Sequence, residues 1–393
     1  MAQNAILSDP NTFSSALYDR MLQIHPGIAE LELYEFRYAL KNILPEEWEP
    51  IVLEQMLSIE ESISKPEFYE PIQLKPTRHN RIVLDTAIVN LTQMLFTGLV
   101  RGDFPADWIT QHFYFDIRAF AFFPRTRYVT PEIAHLFGGE PFLSFPPAQK
   151  NLEALQDIGY KEFAEANTLI DQAFIDTTVK LIAIKGTPLT LTIVGPTAAG
   201  KSEITLRLQQ ALEATGRSCT NIEMDNFYKD RVFRDGKPMD TRIIHYGLFQ
   251  QAMQSLQAGK PAEMPQYDFI LATSSHDLEG NRRPGCTTRE VHPADVILLE
   301  GNFPFHIPEI AHLIDIKVVY FAEDSIRLKR KWRRDVDYRK KYDPAYLSNR
   351  YFRTQFLRNE EIYQPMMKSC EMVVDTSAAS IWVRPDIAAL LQP

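Results

Sequence analysis

Cysteine is scarce, with 3 in 393 residues. Cys219, Cys286 and Cys370 share no metal-ligand spacing. So few scattered thiols point to a reducing interior rather than a disulfide framework. Long apolar runs are missing as well: none approaches the roughly 20 residues a membrane-spanning helix needs. Positive charge is not in excess. Lys and Arg number 42 against 51 Asp and Glu, a formal net charge of −9, which argues against a nucleic-acid partner. The opening segment, MAQNAILSDPNTF, lacks the basic region and long apolar core of a signal peptide. Internal repeats and low-complexity tracts are absent. The expectation is a cytoplasmic protein with a small-molecule substrate and no membrane or nucleic-acid partner. A homo-oligomer stays open.

Apolar residues make up 45% and charged residues 24%, as in ordinary folded proteins. The chain is too long for one core, so two domains are expected. Up to about residue 180, apolar residues recur at helical spacing: Ile82, Leu84, Ile88, Leu91, Met94, Leu95 and Leu99, then Leu169, Phe174, Val179 and Leu181. Between them lies the aromatic stretch DWITQHFYFDIRAFAFFPRTRYV, read as core filling and partly as strand. The domain boundary is placed in Lys185–Pro188, dividing a mainly α-helical domain, 1–185, from a second domain, 186–393.

From Leu189 strands and helices alternate. LTLTIVG, CTNIEM, ADVILLEG, DIKVVYFA and EMVVDTS read as buried strands. A helix from Lys201 to about Thr215 and another in IIHYGLFQQAMQSLQAG separate the first of them. Two further helices are expected in DSIRLKRKWRRDV and PAYLSNRYFRTQFLRNEEIYQPMM. The pattern predicts an α/β fold: a parallel sheet with helices on both faces.

The segment Gly195-Pro196-Thr197-Ala198-Ala199-Gly200-Lys201-Ser202 matches G-x-x-x-x-G-K-[ST]. Glycines let the backbone curl so that successive N–H groups converge on one anion, and the following helix offers its positive end. Lys201 would reach the β- and γ-phosphates and Ser202 would bind Mg²⁺. A chance match in a chain this long is roughly a one-in-a-hundred event. The strand before it and the helix after it are the context the motif requires. The expected ligands are ATP and Mg²⁺.

Three later segments bear on what receives the phosphate. In IEMDNFYKD, Asp225 falls at a strand's carboxyl end, where such sheets bind ligands. It is a candidate base for an attacking hydroxyl, or a helix N-cap; Tyr228 is a candidate substrate contact. In VILLEGNFPF, four apolar residues carry Glu300 to a strand end. There it would hold Mg²⁺, or else form a salt bridge. In DSIRLKRKWRRDVDYRKKY, Arg327, Arg330, Arg333, Arg334 and Arg339 crowd together, as phosphate-neutralising residues of a lid or as a solvated face.

In this order GPTAAGKS, DNFYKD, PQYDF, ILLEG and RLKRKWRRDVDYR resemble the uridine kinase and phosphoribulokinase family. The likeness covers about Leu189 to Leu391, roughly half the chain. It implies a five-stranded parallel sheet with a lid and γ-phosphate transfer from ATP to a hydroxyl of a small metabolite. A nucleoside such as uridine or cytidine is the leading acceptor, with ribulose 5-phosphate, glycerate or pantothenate behind it. Carried over, Asp225 is the base, and Lys201 and Ser202 keep the loop roles. Tyr228, Tyr267 and Phe269 line the acceptor pocket, Glu300 is the acidic residue, and Arg334 and Arg339 are lid arginines. Two departures stand out. The histidine expected five residues after Tyr267 is Ala272, with His276 four later, and the family's D-H-P is Ile244-His245-Tyr246. An acceptor already carrying phosphate would want cations such as Arg282, Arg283 and Arg289. A regulatory ATP-binding module is the rival from another class, and a nucleic-acid-dependent ATPase is disfavoured by the acidic balance.

Overall fold

The computed structural model describes residues 9–41, 43–44, 75–76, 82–83, 86–117, 119–149, 160–323, 326–327, 330, 334 and 359–392. The chain forms two compact units. The first comprises Met1–Arg127, Lys150–Phe163 and Glu323–Asn359; the second comprises Tyr128–Gln149, Ala164–Ala322 and Glu360–Pro393.

The first unit is built on helices α1 (Pro10–Ile24), α2 (Leu33–Leu40), α3 (Thr86–Arg101) and α4 (Ala106–His112), with a hairpin of β1 (Phe113–Asp116) and β2 (Ala121–Pro124). Helix α1 starts where it does because Asp9 accepts the Thr12 N–H at 2.9 Å and Pro10 fills the first helical position. The core is aromatic. Phe96 contacts the rings of Phe115, Phe120 and Phe122, with Leu17, Phe36, Leu91 and Leu95 around them. The aromatic stretch of the sequence is this hairpin and its packing. Of the predicted helical set, Ile88, Leu91, Met94, Leu95 and Leu99 are all buried, whereas Ile82 lies in a two-residue strand and Leu84 falls outside the described residues.

The second unit is organised by a seven-stranded sheet. Its members are β3 (Leu143–Ser144), β4 (Leu189–Val194), β5 (Cys219–Glu223), β6 (Val296–Gly301), β7 (Ile316–Phe321), β8 (Met372–Asp375) and β9 (Ser380–Val383), in the order β3-β9-β8-β7-β4-β6-β5. The five strands from β8 to β5 are parallel; β9 and β3 add antiparallel pairs at one edge. The five parallel strands are the five runs read from the sequence. The two edge strands were not foreseen.

Both faces are covered, so the central strands are apolar on both sides. On one face Leu191, Ile193, Leu298, Val318 and Tyr320 pack against helices α5 (Thr168–Lys185), α6 (Lys201–Ala214) and α8 (Pro385–Leu391). On the other, Val194, Leu299, Val319 and Phe321 pack with helix α7 (Tyr246–Gln257) and the 304–310 turn. The units part elsewhere than at residue 185. Ile170, Phe174, Ile175, Leu181 and Ile182 of α5 are buried with β4 and α6, so α5 belongs to the sheet's unit. Leu169 faces outward, 60% exposed, while Ile170 faces in.

Candidate active site

Strand β4 is wholly buried and delivers Gly195 at its carboxyl end. A Cβ built on Gly195 would lie 1.9 Å from the Tyr320 carbonyl oxygen. Only glycine lets β7 and the loop approach that closely. Ala198 (φ 63°) and Gly200 (φ 105°) take left-handed conformations, which curl the chain into α6. No side-chain cap hydrogen bond is seen at the start of that helix, and a helix N-terminus is the kind of place where anions bind.

Lys201 is 8% exposed. Its Nζ donates to the Pro196 carbonyl at 3.1 Å and to Asn302 Oδ1 at 3.3 Å. The Asn302 amide in turn donates to Asp225 Oδ1 at 3.4 Å. Ser202 Oγ donates to Glu300 Oε1 at 2.8 Å. Burial holds the Glu300 carboxyl above the usual glutamate range; Lys201 and the Ser202 hydrogen bond oppose this, and Asp225 and Glu223 add to it. Loop, Glu300 and Asp225 are therefore one electrostatic cluster at the carboxyl ends of β4, β5 and β6. Such a sheet places its ligands there.

Asp225 sits in the 3₁₀ turn Met224–Phe227 that follows β5. The same turn supplies Asn226, whose Oδ1 accepts the Tyr267 N–H at 3.2 Å. Tyr267 packs edge-on against Phe269 at 5.1 Å and lies 6.1 Å from Tyr228. All three predicted pocket aromatics thus converge beside Asp225. Arg234, which sequence reasoning missed, covers them: its guanidinium carbon lies 4.2 Å from the Tyr228 ring centre and 5.3 Å from that of Tyr267. Arg234 Nη2 donates to Tyr267 Oη at 2.8 Å and Nε to the Lys229 carbonyl at 2.7 Å. Asn302 was missed too. Its only signal is its place two residues after Glu300.

Arg283 is bound to Asp230 at 2.6 Å, while Arg282 and Arg289 are exposed; Arg283 therefore comes to the region already paired. His245 is 4% exposed and His276 8% exposed, with rings 6.0 Å apart. Burial, with Lys229 next, holds His245 neutral, its pKa lowered to about 4; its Nε2 has no hydrogen-bond partner. Ala272, in the position of the replaced histidine, has a left-handed φ of 59°, and its carbonyl accepts the Arg231 N–H at 3.0 Å. Of the lid residues, Arg334 belongs to the first unit and is half-buried. Arg339 lies outside the described residues, as does most of the predicted lid helix.

The family model described as phosphoribulokinase / uridine kinase matches residues 190–379. The C-terminal half belongs to that family. Two curated relatives cover the same region. A uridine kinase from Lactobacillus helveticus is 28% identical over 196 residues, 48% of this chain and 86% of its own. A uridine kinase from Leuconostoc citreum is 28% identical over 161 residues, 39% of this chain and 70% of its own. A solved structure titled as a possible uridine kinase from Bacillus stearothermophilus aligns with TM-score 0.37 at 20% identity, over 51% of this chain and 97% of its own. No helix among the described residues is long and apolar enough to cross a membrane.

Proposed function

We propose that the second unit is an ATP-dependent kinase that phosphorylates a hydroxyl of a small metabolite. The observation that carries this is the chain Lys201–Asn302–Asp225, with links of 3.3 and 3.4 Å. One side chain spans the distance between the phosphate loop and a carboxylate, which leaves room for an acceptor hydroxyl beside a γ-phosphate.

In this reading Gly195 to Ser202 hold the ATP phosphates, and Lys201 shifts from its Pro196 and Asn302 contacts onto them. Asp225 accepts the proton of the acceptor hydroxyl. As that oxygen bonds to the γ-phosphorus, the bond from phosphorus to the β–γ bridging oxygen breaks and ADP leaves. Tyr228, Tyr267 and Phe269 hold the acceptor. To Arg334 and Arg339 we assign the lid roles that the family resemblance implies.

The donors fit Mg²⁺. Ser202 Oγ and Glu300 Oε1 lie side by side, and the buried carboxyl has only cationic and hydroxyl relief. No group of three or more His, Cys, Asp or Glu among the described residues makes a protein-only metal cage. When bound, Mg²⁺ would neutralise charge on the bridging phosphate oxygens.

A nucleoside of the uridine or cytidine kind is the leading acceptor, supported by the curated relatives and by the aromatic pocket. A second reading, an acceptor bearing a carboxylate or phosphate, is favoured by Arg234. It is half-buried and has no carboxylate partner among the described residues. The test is ADP release with purified protein, ATP and Mg²⁺ across nucleosides, sugar phosphates and hydroxy acids. Acceptor-dependent release from any class supports the kinase; release from none favours the regulatory ATP-binding module.

A further inference from the structure

The buried carboxylate of Asp171 has no place in the chemistry above and lies outside the family-matched segment 190–379. It sits in the first turn of α5, 4% exposed. An unpaired carboxylate there would be costly, and two partners among the described residues hold Asp171. Oδ1 accepts the Tyr320 hydroxyl at 2.7 Å, and Oδ2 accepts Arg207 Nη1 at 2.6 Å.

These partners are the two walls between which the phosphate loop is slung. Tyr320 lies near the end of β7, and its carbonyl is the atom that stands against Gly195. Its ring is fixed edge-on by Phe174 of α5 at 6.0 Å. Arg207 lies about two turns into α6, the helix whose first residue is Lys201. The loop's Ala199 is buried in the same apolar cluster as Ile170 and Phe174. One carboxylate thereby ties β7, the strand whose Tyr320 carbonyl faces Gly195, to the helix at the loop's end.

We propose that Asp171 is a positioning residue for the nucleotide: it sets the spacing of β7 and α6 so that the loop amides converge on the phosphates. The uncapped turn at Gly200 depends on that spacing. An added methylene's worth of separation would splay the amides without removing any of them. This rests on the reading that the loop binds a triphosphate.

The experiment measures equilibrium affinity of the full chain for Mg-ATP and for tripolyphosphate, below each variant's melting temperature. It compares wild type with Asp171→Asn, Arg207→Met, Arg207→Lys, Tyr320→Phe and the exposed control Asp176→Asn. Asp171→Asn and Arg207→Met are expected to weaken both probes about tenfold, the scale of a lost hydrogen bond to a charged group. Arg207→Lys, which keeps the charge, should recover most of the loss, and Asp176→Asn should change nothing. If Asp171→Asn does not fold, Tyr320→Phe and Arg207→Met, each removing one partner, decide the matter. Unchanged affinities with only a lowered melting temperature would overturn the proposal. So would equal losses in Arg207→Lys and Arg207→Met. A wild type that binds neither probe would refute the triphosphate reading first, and this proposal with it.

Discussion

Replacing Gly195 by alanine puts the loop's geometry to a severe test. The new Cβ would lie 1.9 Å from the Tyr320 oxygen and 3.0 Å from its carbonyl carbon. Those atoms are backbone, so no side-chain rotation relieves the clash. Nor can either strand retreat alone, because β7 pairs with β4 in parallel through Val318–Ile193 and Val319–Val194. The loop must move, at the about 1–3 kcal/mol typical of overpacking. A native-state ligand senses that displacement directly: each 1.4 kcal/mol lost from binding is about tenfold in affinity. We expect Gly195→Ala to lower the melting temperature by a few degrees per kcal/mol and to weaken ATP binding about tenfold or more. Gly216→Ala is the control. Its φ is 82° and nothing lies within 4 Å of its would-be Cβ. It should carry only the roughly 1–2 kcal/mol of a left-handed alanine and leave ATP affinity alone. Calorimetric titration with ATP reads both. A Gly195→Ala protein with wild-type ATP affinity would refute the reasoning.

Further tests follow from the charges. Since burial raises the Glu300 pKa, protons should compete with Mg²⁺ at a higher pH than an ordinary glutamate allows. The same shift makes the ligand-free protein less stable as pH rises through that window, and Glu300→Gln should flatten both dependences in Mg²⁺ titrations and pH-dependent melts. His245 is held neutral with a pKa of about 4 against an ordinary 6.5. The unfolded chain therefore binds the extra proton as pH falls from 6.5 to about 4, and stability should drop by up to about 3 kcal/mol. Denaturant melts of wild type and His245→Gln across that range check it, with the slope lost in the variant. For an anionic acceptor, Arg234→Met should raise the acceptor KM about 10- to 100-fold while the KM for ATP holds. A neutral acceptor would show a far smaller change.

The parallel sheet was legible because most of its strands are apolar runs, and three of the five lead to a residue with chemistry. Gly195, Asp225 and Glu300 all stand at carboxyl ends of strands, so their meeting at one end of the parallel sheet could be read from order alone. The antiparallel strands β3 and β9 could not. Leu143–Ser144 is two residues inside a Gly/Pro-rich connector, and Ser380–Val383 is four residues whose partner is set only by the fold. The unit boundary escaped because a helix's periodicity says that one stripe is buried, not against what. Helix α5 finds its partner in β4 and α6. Asn302 and Arg234 were invisible for another reason. An amide after a glycine and an arginine ending a one-turn helix acquire meaning only from the 3.4 Å and 4.2 Å contacts that folding creates.

The central claim is that Asp225 deprotonates an alcohol beside a triphosphate held by the loop. The most direct measurement is the pairing of ATP affinity with acceptor-dependent ADP release in wild type and Asp225→Asn, using whichever acceptor the screen returns. The account predicts an asparagine variant that binds ATP like wild type and loses about 10²–10⁴-fold in transfer rate, the range for a positioned base. Transfer at the wild-type rate by Asp225→Asn would contradict it.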